Sequence, residues 1–198
     1  MLLSEPAKKR PRLRLRLRPA GETAVRSGHP WVFDKSIKEQ NRAGDSGELA
    51  VIYDRNNRFL AIGLFDPDSP IRVRVLHTGD PVTISSEWWN TRLTKSIDLR
   101  HGLFDAQTTG CRLINGESDG WPGLVLDQYG KVLVLKLYSA VWLPMLEELK
   151  SMISGRFPDA VTVLRLSRNI QGAAKAFHRT DGETLLGTLD ADTVVFEE

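Results

Sequence analysis

The segment Arg12-Leu13-Arg14-Leu15-Arg16-Leu17-Arg18 alternates strictly between a cation and an apolar side chain. On a strand, successive side chains point to opposite faces, so the three leucines share one face and the four arginines the other. Neighbouring arginines then stand about 6.6–6.8 Å apart, twice the strand rise. Phosphates along a nucleic-acid strand repeat at roughly 6–7 Å, so such a comb matches a polyanion backbone. Arg26, His29 and Trp31 lie on the next element, and Arg72 and Arg74 alternate on a later one. Arginines beside an aromatic supply phosphate contacts and a stacking partner, which is the chemistry of an RNA-facing surface. The plainer reading is a solvated strand face. For Trp31, set in Pro30-Trp31-Val32-Phe33, a core position is favoured.

Other candidate chemistry is weaker. Gly116-Glu117-Ser118-Asp119-Gly120 has the spacing of a nucleophile elbow, and Ser118, Asp159 and His178 occur in a triad order. Trp121-Pro122-Gly123 follows at once, and a helix does not readily propagate through Pro-Gly, so a structured turn is the stronger expectation over a serine hydrolase. Cys111 has no base beside it in sequence and reads as an idle thiol. His29, His77, His101 and His178 show no metal-ligand spacing, and His77 and His101 are expected at the surface. No phosphate-binding glycine loop of either common type occurs.

These residues need elements to hold them. The Arg-Leu comb is expected to be a half-exposed strand ended by Pro19. Positions 21–37 read as a short helical stretch broken at Gly28 and Pro30. Three strands are expected at Gly47–Tyr53, Phe59–Phe65 and Ile71–Leu76, making a small mixed barrel with the first strand. A boundary falls at Gly79-Asp80-Pro81. Ser85 or Ser86 can cap a helix through Trp88, Trp89, Leu93, Ile97 and Leu99 to about Phe104. Positions 108–123 read as a turn-rich loop. A hairpin follows, Leu124–Leu126 with Val132–Tyr138 around Gln128-Tyr129-Gly130. A helix is expected over Val141–Ile153 and a strand over Val161–Leu166, with weaker strands at Thr184–Leu186 and Thr193–Phe196. The second half therefore reads as α+β.

Composition bounds the rest. The 198 residues carry 27 Lys+Arg against 25 Asp+Glu, with 41% hydrophobic residues, as in a folded globular chain. The first 80 residues hold 15 cations and 10 anions, the remainder 12 and 15. Much of the basic excess sits near the start, including Lys8, Lys9 and Arg10 in a tail over 1–11 expected to be flexible. A basic end on a balanced chain suggests a polyanion partner. No run of 18 apolar residues and no signal-peptide core occur, so no membrane association and a cytoplasmic setting are expected. One cysteine excludes an internal disulfide and a Cys-rich zinc site.

Three segments carry a resemblance: Arg26-x-x-His29-Pro30-Trp31-Val32-Phe33; Gly63-Leu64-Phe65-Asp66-Pro67-Asp68-Ser69-Pro70-Ile71-Arg72-Val73-Arg74; and Arg112-Leu113-Ile114-Asn115-Gly116-Glu117-Ser118-Asp119-Gly120-Trp121-Pro122-Gly123-Leu124. Together they resemble the N-terminal part of bacterial S-adenosylmethionine-dependent methyltransferases that act on cytosine C5 of large-subunit ribosomal RNA. The resemblance implies a mixed α/β (α+β) chain: a PUA-like barrel over 12–80, a linker helix over 81–106 and a central α+β domain over 107–198, with no Rossmann domain. It implies an RNA-binding portion that positions ribosomal RNA for a C-terminal methyltransferase domain outside the chain. S-adenosylmethionine is then the cofactor of the family, with no cofactor bound by this chain and no activity from it alone. By analogy with the groove that PUA domains use, Arg14, Arg16, Arg26, His29, Arg72 and Arg74 are the expected RNA contacts. The loop over 115–123 then either braces the methyltransferase domain or is a purely structural turn. An alternative is an interaction module forming a homodimer or other oligomer through the exposed strand face or the Trp88-Trp89 helix, because adjacent tryptophans cannot both face one core.

Overall fold

The computed structural model describes residues 11–105, 107–189 and 194–197. The expected basic tail, apart from Pro11, lies outside the described residues. So does Thr193, and Val194–Glu197 form no strand.

The Arg-Leu comb is strand β1, Leu13–Leu17, with Leu13, Leu15 and Leu17 buried and Arg14 and Arg16 on the other face. Pro19 ends it and also opens helix α1, Pro19–Arg26, where a fixed φ and a missing N–H suit the first turn. The helical stretch expected to Ile37 is corrected here. After α1 the chain forms strand β2, Trp31–Phe33, a 3-10 turn over Asp34–Ser36, and strand β3, Ile37–Gln40. Strands β4, Leu49–Tyr53, β5, Phe59–Phe65, and β6, Ile71–Thr78, complete a six-stranded sheet in the order β2-β6-β5-β4-β1-β3. All its pairs are antiparallel except β1 with β4, where Leu13 lies opposite Ala50. Val32 and Ile37 on the two edge strands reach the same core as Leu15 and Ile52 at its centre, so the sheet curls around that core.

Strand β5 is apolar without alternation because both its faces are covered. Leu60, Ala61 and Phe65 serve the first core. Leu64 and, on β6, Leu76 face a second core shared with the rest of the chain. That core begins with helix α2, Ser86–Asp98, whose N-cap Ser85 Oγ accepts a hydrogen bond from the Trp88 N–H. Trp89 and Leu93 are buried in it, so α2 is a packed element, not a free linker.

A second sheet holds strands β7, Gly110–Asn115, β8, Leu124–Tyr129, β9, Val132–Leu137, β10, Val161–Leu166, and β11, Thr184–Leu186. They are ordered β11-β10-β9-β8-β7. β8 and β9 form the expected hairpin. β7 occupies part of the span expected to be loop: its ladder to β8 compensates for Gly110 and Asn115, which are poor strand formers. After β9, a 3-10 turn over Ala140–Met145 leads into helix α3, Leu146–Arg156, and back to β10, which pairs parallel to β9. This βαβ crossover is the unit from which Rossmann-type sheets are built. It corrects the expectation of an α+β half without any such element. A four-residue helix α4, Gln171–Ala174, follows β10. Among the described residues no helix is long and apolar enough to cross a membrane.

Trp89, Trp121 and Trp142 form the centre of the second core, with ring centroids 5.0 to 5.9 Å apart. Their burial leaves polar N–H groups to satisfy. Trp121 donates to Ser96 Oγ at 3.1 Å and Trp142 to the Pro122 carbonyl at 2.8 Å. The Trp-Pro-Gly segment is thereby fixed from two sides.

Leu15→Ala opens a cavity in the first core and is expected to cost about 2–5 kcal/mol in urea unfolding. Arg14→Gln on the opposite face is expected to stay within about 0.5 kcal/mol. Equal losses would contradict the one-sided burial of β1.

Candidate nucleic-acid interface

The outer face of β1 forms the floor of a recess of about 420 Å³, lined by Arg14, Arg16, Glu39, Asn41, Tyr53 and Asn57. Register assembles it. Arg16 lies opposite Glu39 on β3 and Tyr53 on β4, while Asn41 Oδ1 accepts the Arg14 N–H at 2.8 Å. Asn57 holds a left-handed backbone (φ 60°) in the β4–β5 turn and accepts from Arg16 Nη2 at 3.2 Å. Arg16 also pairs with Glu39 at 3.1 Å. The Arg14 guanidinium makes no hydrogen bond or ion pair among the described residues, so one cation stands uncompensated beside a half-buried tyrosine and two amides. Cation, aromatic face and amide edges are the groups that hold a phosphate and a base.

The β4–β5 turn carries more charge on a buried acidic footing. Asp54 accepts the N–H groups of Asn56 and Arg58, each at 2.9 Å, and pairs with Arg26 at 2.8 Å and Arg58 at 3.2 Å. Glu22 on α1 accepts the Arg55 N–H at 2.7 Å and its Nε at 3.1 Å. Arg26, Arg55 and Arg58 thus lie at the surface with their partners beneath them. These hydrogen bonds, the Arg58 N–H first, hold the Asp54 carboxyl below its ordinary range.

The other expected contacts separate. His29 is exposed and packs with Trp31 and Phe33, at centroid distances of 5.9 and 6.1 Å. Trp31 is not the core residue expected. On edge strand β2 it is half-buried, and its Nε1–H donates to Glu117 Oε1 at 2.9 Å, joining the first sheet to the turn before Trp121. Arg72 is spent on the carbonyls of Asp66 and Pro67. Arg74, opposite Trp31 on β6, is only 8% exposed. Its Nε and Nη1 are buried with no partner, and burial lowers its pKa against the opposing pull of Asp66 and Glu117. Geometry therefore offers Arg14, Arg16, Arg26 and His29 to solvent and turns Arg72 and Arg74 inward. Tyr53, Asn41 and Asn57 were not legible as site residues, because only strand register brings them beside Arg16.

The remaining candidates resolve simply. Ser118 is exposed on a 3-10 turn, and no histidine bonds to it among the described residues. Cys111 is half-buried, and burial pushes its thiol pKa up, away from the thiolate. Trp88, the proposed dimer contact, packs edge-on to Trp89 at 4.7 Å and is covered by Arg92 at 4.0 Å, so its ring already has an intramolecular partner. Among the described residues no group of three or more His, Cys, Asp or Glu is placed to hold a metal ion.

Residues 15–78 match the family described as PUA-like domain. The chain is 51% identical over 201 residues to a ribosomal RNA large subunit methyltransferase of Deinococcus radiodurans, an alignment covering 99% of this chain and 49% of that protein. It is 32% identical over 178 residues to ribosomal RNA large subunit methyltransferase I of Aliivibrio fischeri, covering 89% and 44%. The chain thus has a PUA-like domain and is homologous to large-subunit ribosomal RNA methyltransferases, and it spans about half the length of the curated relatives it matches. A solved structure from Streptococcus mutans described as a SAM-dependent methyltransferase superposes with a TM-score of 0.73 at 15% identity, over 92% of this chain and 46% of that one. A second solved structure, described as a methyltransferase complexed with SAH, gives 0.68 at 16% identity, over 80% and 41%.

These matches correct two expectations. The expectation of no Rossmann domain is corrected, because over 92% of its length the chain shares the fold of a solved methyltransferase. Nor does the expectation of an RNA-binding portion that only positions RNA for a methyltransferase domain outside the chain stand, since 99% of the chain aligns with a ribosomal RNA methyltransferase and it shares the fold of solved methyltransferases. The donor these comparisons imply, S-adenosylmethionine, calls for a nucleotide cradle, usually a glycine-rich turn between a strand and a helix. Among the described residues, β9 leaves through Tyr138-Ser139 and β10 through Ser167, with no glycine at either junction. These junctions do not fit the donor, and no step through it is assigned to them.

The Asp54 carboxylate contributes stability in full above its ordinary pKa of about 4, and loses it as pH falls through the lower folded value. Asp54→Asn is therefore expected to melt lower than the parent near neutral pH, with the gap closing below about pH 4. A gap independent of pH would show that the charge is not what holds the turn.

Proposed function

We propose that this chain serves S-adenosylmethionine-dependent methylation of large-subunit ribosomal RNA, at cytosine C5, in the cytoplasm. Its PUA-like unit over 12–80 takes the RNA, and the helix over 81–106 and the sheet over 107–198 pack against that unit. The observation that supports this most directly is the β1 recess. Unpaired Arg14 stands beside Arg16, Tyr53 and two asparagines, on a chain homologous to ribosomal RNA methyltransferases. Arg14 and Arg16 meet adjacent phosphates, Tyr53 offers a ring to a base, and Arg26 and His29 extend the contact. Arg72 and Arg74 are withdrawn from the contact set because Arg72 is bonded to backbone carbonyls and Arg74 is buried.

The test is binding of a transcribed fragment of large-subunit ribosomal RNA at several salt concentrations. Arg14→Gln with Arg16→Gln is expected to weaken binding about tenfold and to flatten the salt dependence. Each lost phosphate contact lowers the slope by about 0.7 for a single strand. Arg72→Gln is expected to leave the slope unchanged. A double variant that binds as the parent does at every salt concentration would remove the β1 face from the RNA path.

A further inference from the structure

A second cation-lined recess lies apart from the β1 face. It has a volume of about 460 Å³ and sits between α2 and the turn over 116–120. Trp88, Arg92, Lys95 and Leu99 line one wall, at spacings of four, three and four residues, which is one face of a helix. Ser118 and Gly120 line the other.

Arg92 is held rigidly there. Its Nη1 donates to the Gly120 carbonyl at 2.6 Å, its Nη2 to the Leu76 carbonyl at 3.1 Å, and its guanidinium lies 4.0 Å from the centre of the Trp88 ring. Gly120 has φ 76°, and any Cβ there would collide with the Arg92 guanidinium, so the close approach requires glycine. Every one of these partners is neutral. No carboxylate pairs with Arg92 among the described residues, and burial lowers its pKa to about 10, which leaves it protonated at neutral pH. Lys95, one turn on, is exposed and also without an ion pair among the described residues.

Of the turn's two carboxylates, Asp119 is neutralised by Arg100, while Glu117 keeps its charge against a neutral indole, so Arg92 and Lys95 outnumber the one unpaired carboxylate on the lining. Glu117 is bound by the Trp31 indole, and Asp119 Oδ2 accepts from Arg100 Nη2 and the Asn115 N–H, each at 2.6 Å. The Ser118 hydroxyl has no partner among the described residues and is free to donate. A fixed guanidinium, a mobile ammonium and a free hydroxyl around one cavity form an anion site. Glu117 lines the cavity and is bonded to Trp31, whose neighbours His29 and Phe33 are exposed. A strand crossing that aromatic group passes next to the cavity.

We infer that this recess binds a backbone phosphate of the RNA strand held by the PUA-like unit, with Arg92 and Lys95 as its cations and Ser118 as a hydroxyl donor. The inference rests on the RNA reading above and extends the path onto α2.

Binding is measured by fluorescence anisotropy with a labelled single-stranded fragment of large-subunit ribosomal RNA, using the full chain. Lys95→Gln is expected to weaken binding about three- to tenfold and to lower the salt slope by about 0.7. Ser118→Ala is expected to weaken it less. Lys95→Gln added to the Arg14/Arg16 double variant is expected to multiply the two losses, since the sites are separate. Lys95 and Ser118 are exposed, so neither variant depends on the fold tolerating loss of Arg92. If both bind as the parent does while the Arg14/Arg16 variant is weakened, the α2 site is refuted and the RNA reading stands. If the parent binds no RNA, both fall. If inorganic phosphate quenches Trp88 fluorescence, identified by its loss in Trp88→Phe, yet Lys95→Gln leaves RNA affinity intact, the recess serves a small anion and the inference is overturned.

Discussion

Strand β5 has no face left for water, and the architecture follows from that constraint. Its residues supply both the core curled inside the first sheet and the tryptophan-centred core beyond it. A strand buried on both sides cannot alternate, and it cannot let its two neighbouring units slide apart without exposing Leu64 and Leu76. The connections over this seam are polar and directional: Trp31 to Glu117, and Arg92 to Gly120 and Leu76. Apolar burial supplies the cohesion, while these bonds fix how the turn over 116–120 sits against the first sheet.

Arginine is used in two opposite ways, and burial decides which. Arg74 and Arg92 are turned inward, and Arg92 acts as a strut between elements, its planar group bonding two separate carbonyls and stacking on a ring. Arg14, Arg26, Arg55 and Arg58 stand at the surface, most of them above carboxylates that fix their stems. Enclosing a guanidinium without a counter-charge is costly, which is why Arg92 is embedded among carbonyl dipoles and an aromatic face.

Period-two alternation marked β1, and an unbroken apolar run marked β5, since those patterns follow directly from one- or two-sided burial. Edge elements were harder to read. Strand β3 is Ile37-Lys38-Glu39-Gln40, with one apolar residue, and only its pairing with β1 makes it a strand. Helix α1 was placed but overrun, because the extended Trp31–Phe33 segment gets its conformation from β6 rather than from local preference. The alternation of Arg72 and Arg74 looked the same in sequence as that of Arg14 and Arg16. What distinguishes them is the second core lying against β6, a tertiary fact that no local pattern carries. Tyr53 and Asn57 were silent for the same reason. The i,i+4 pair Trp88 and Arg92 was a signal available in the sequence, and it points to the recess on α2.

The parallel pairing of β1 with β4 bears on how the protein is made. Leu13 finds its partner in Ala50, so β1 gains its inner neighbour in the sheet only after the later strand β4 exists. Until then its leucines have nowhere to hide, and the emerging chain offers a naked, alternating edge to whatever lies near the ribosome's exit. The arginines between those leucines give that waiting segment a mutual repulsion that discourages like strands from zipping together. The positive comb on β1 thus guards the waiting segment against pairing with its like.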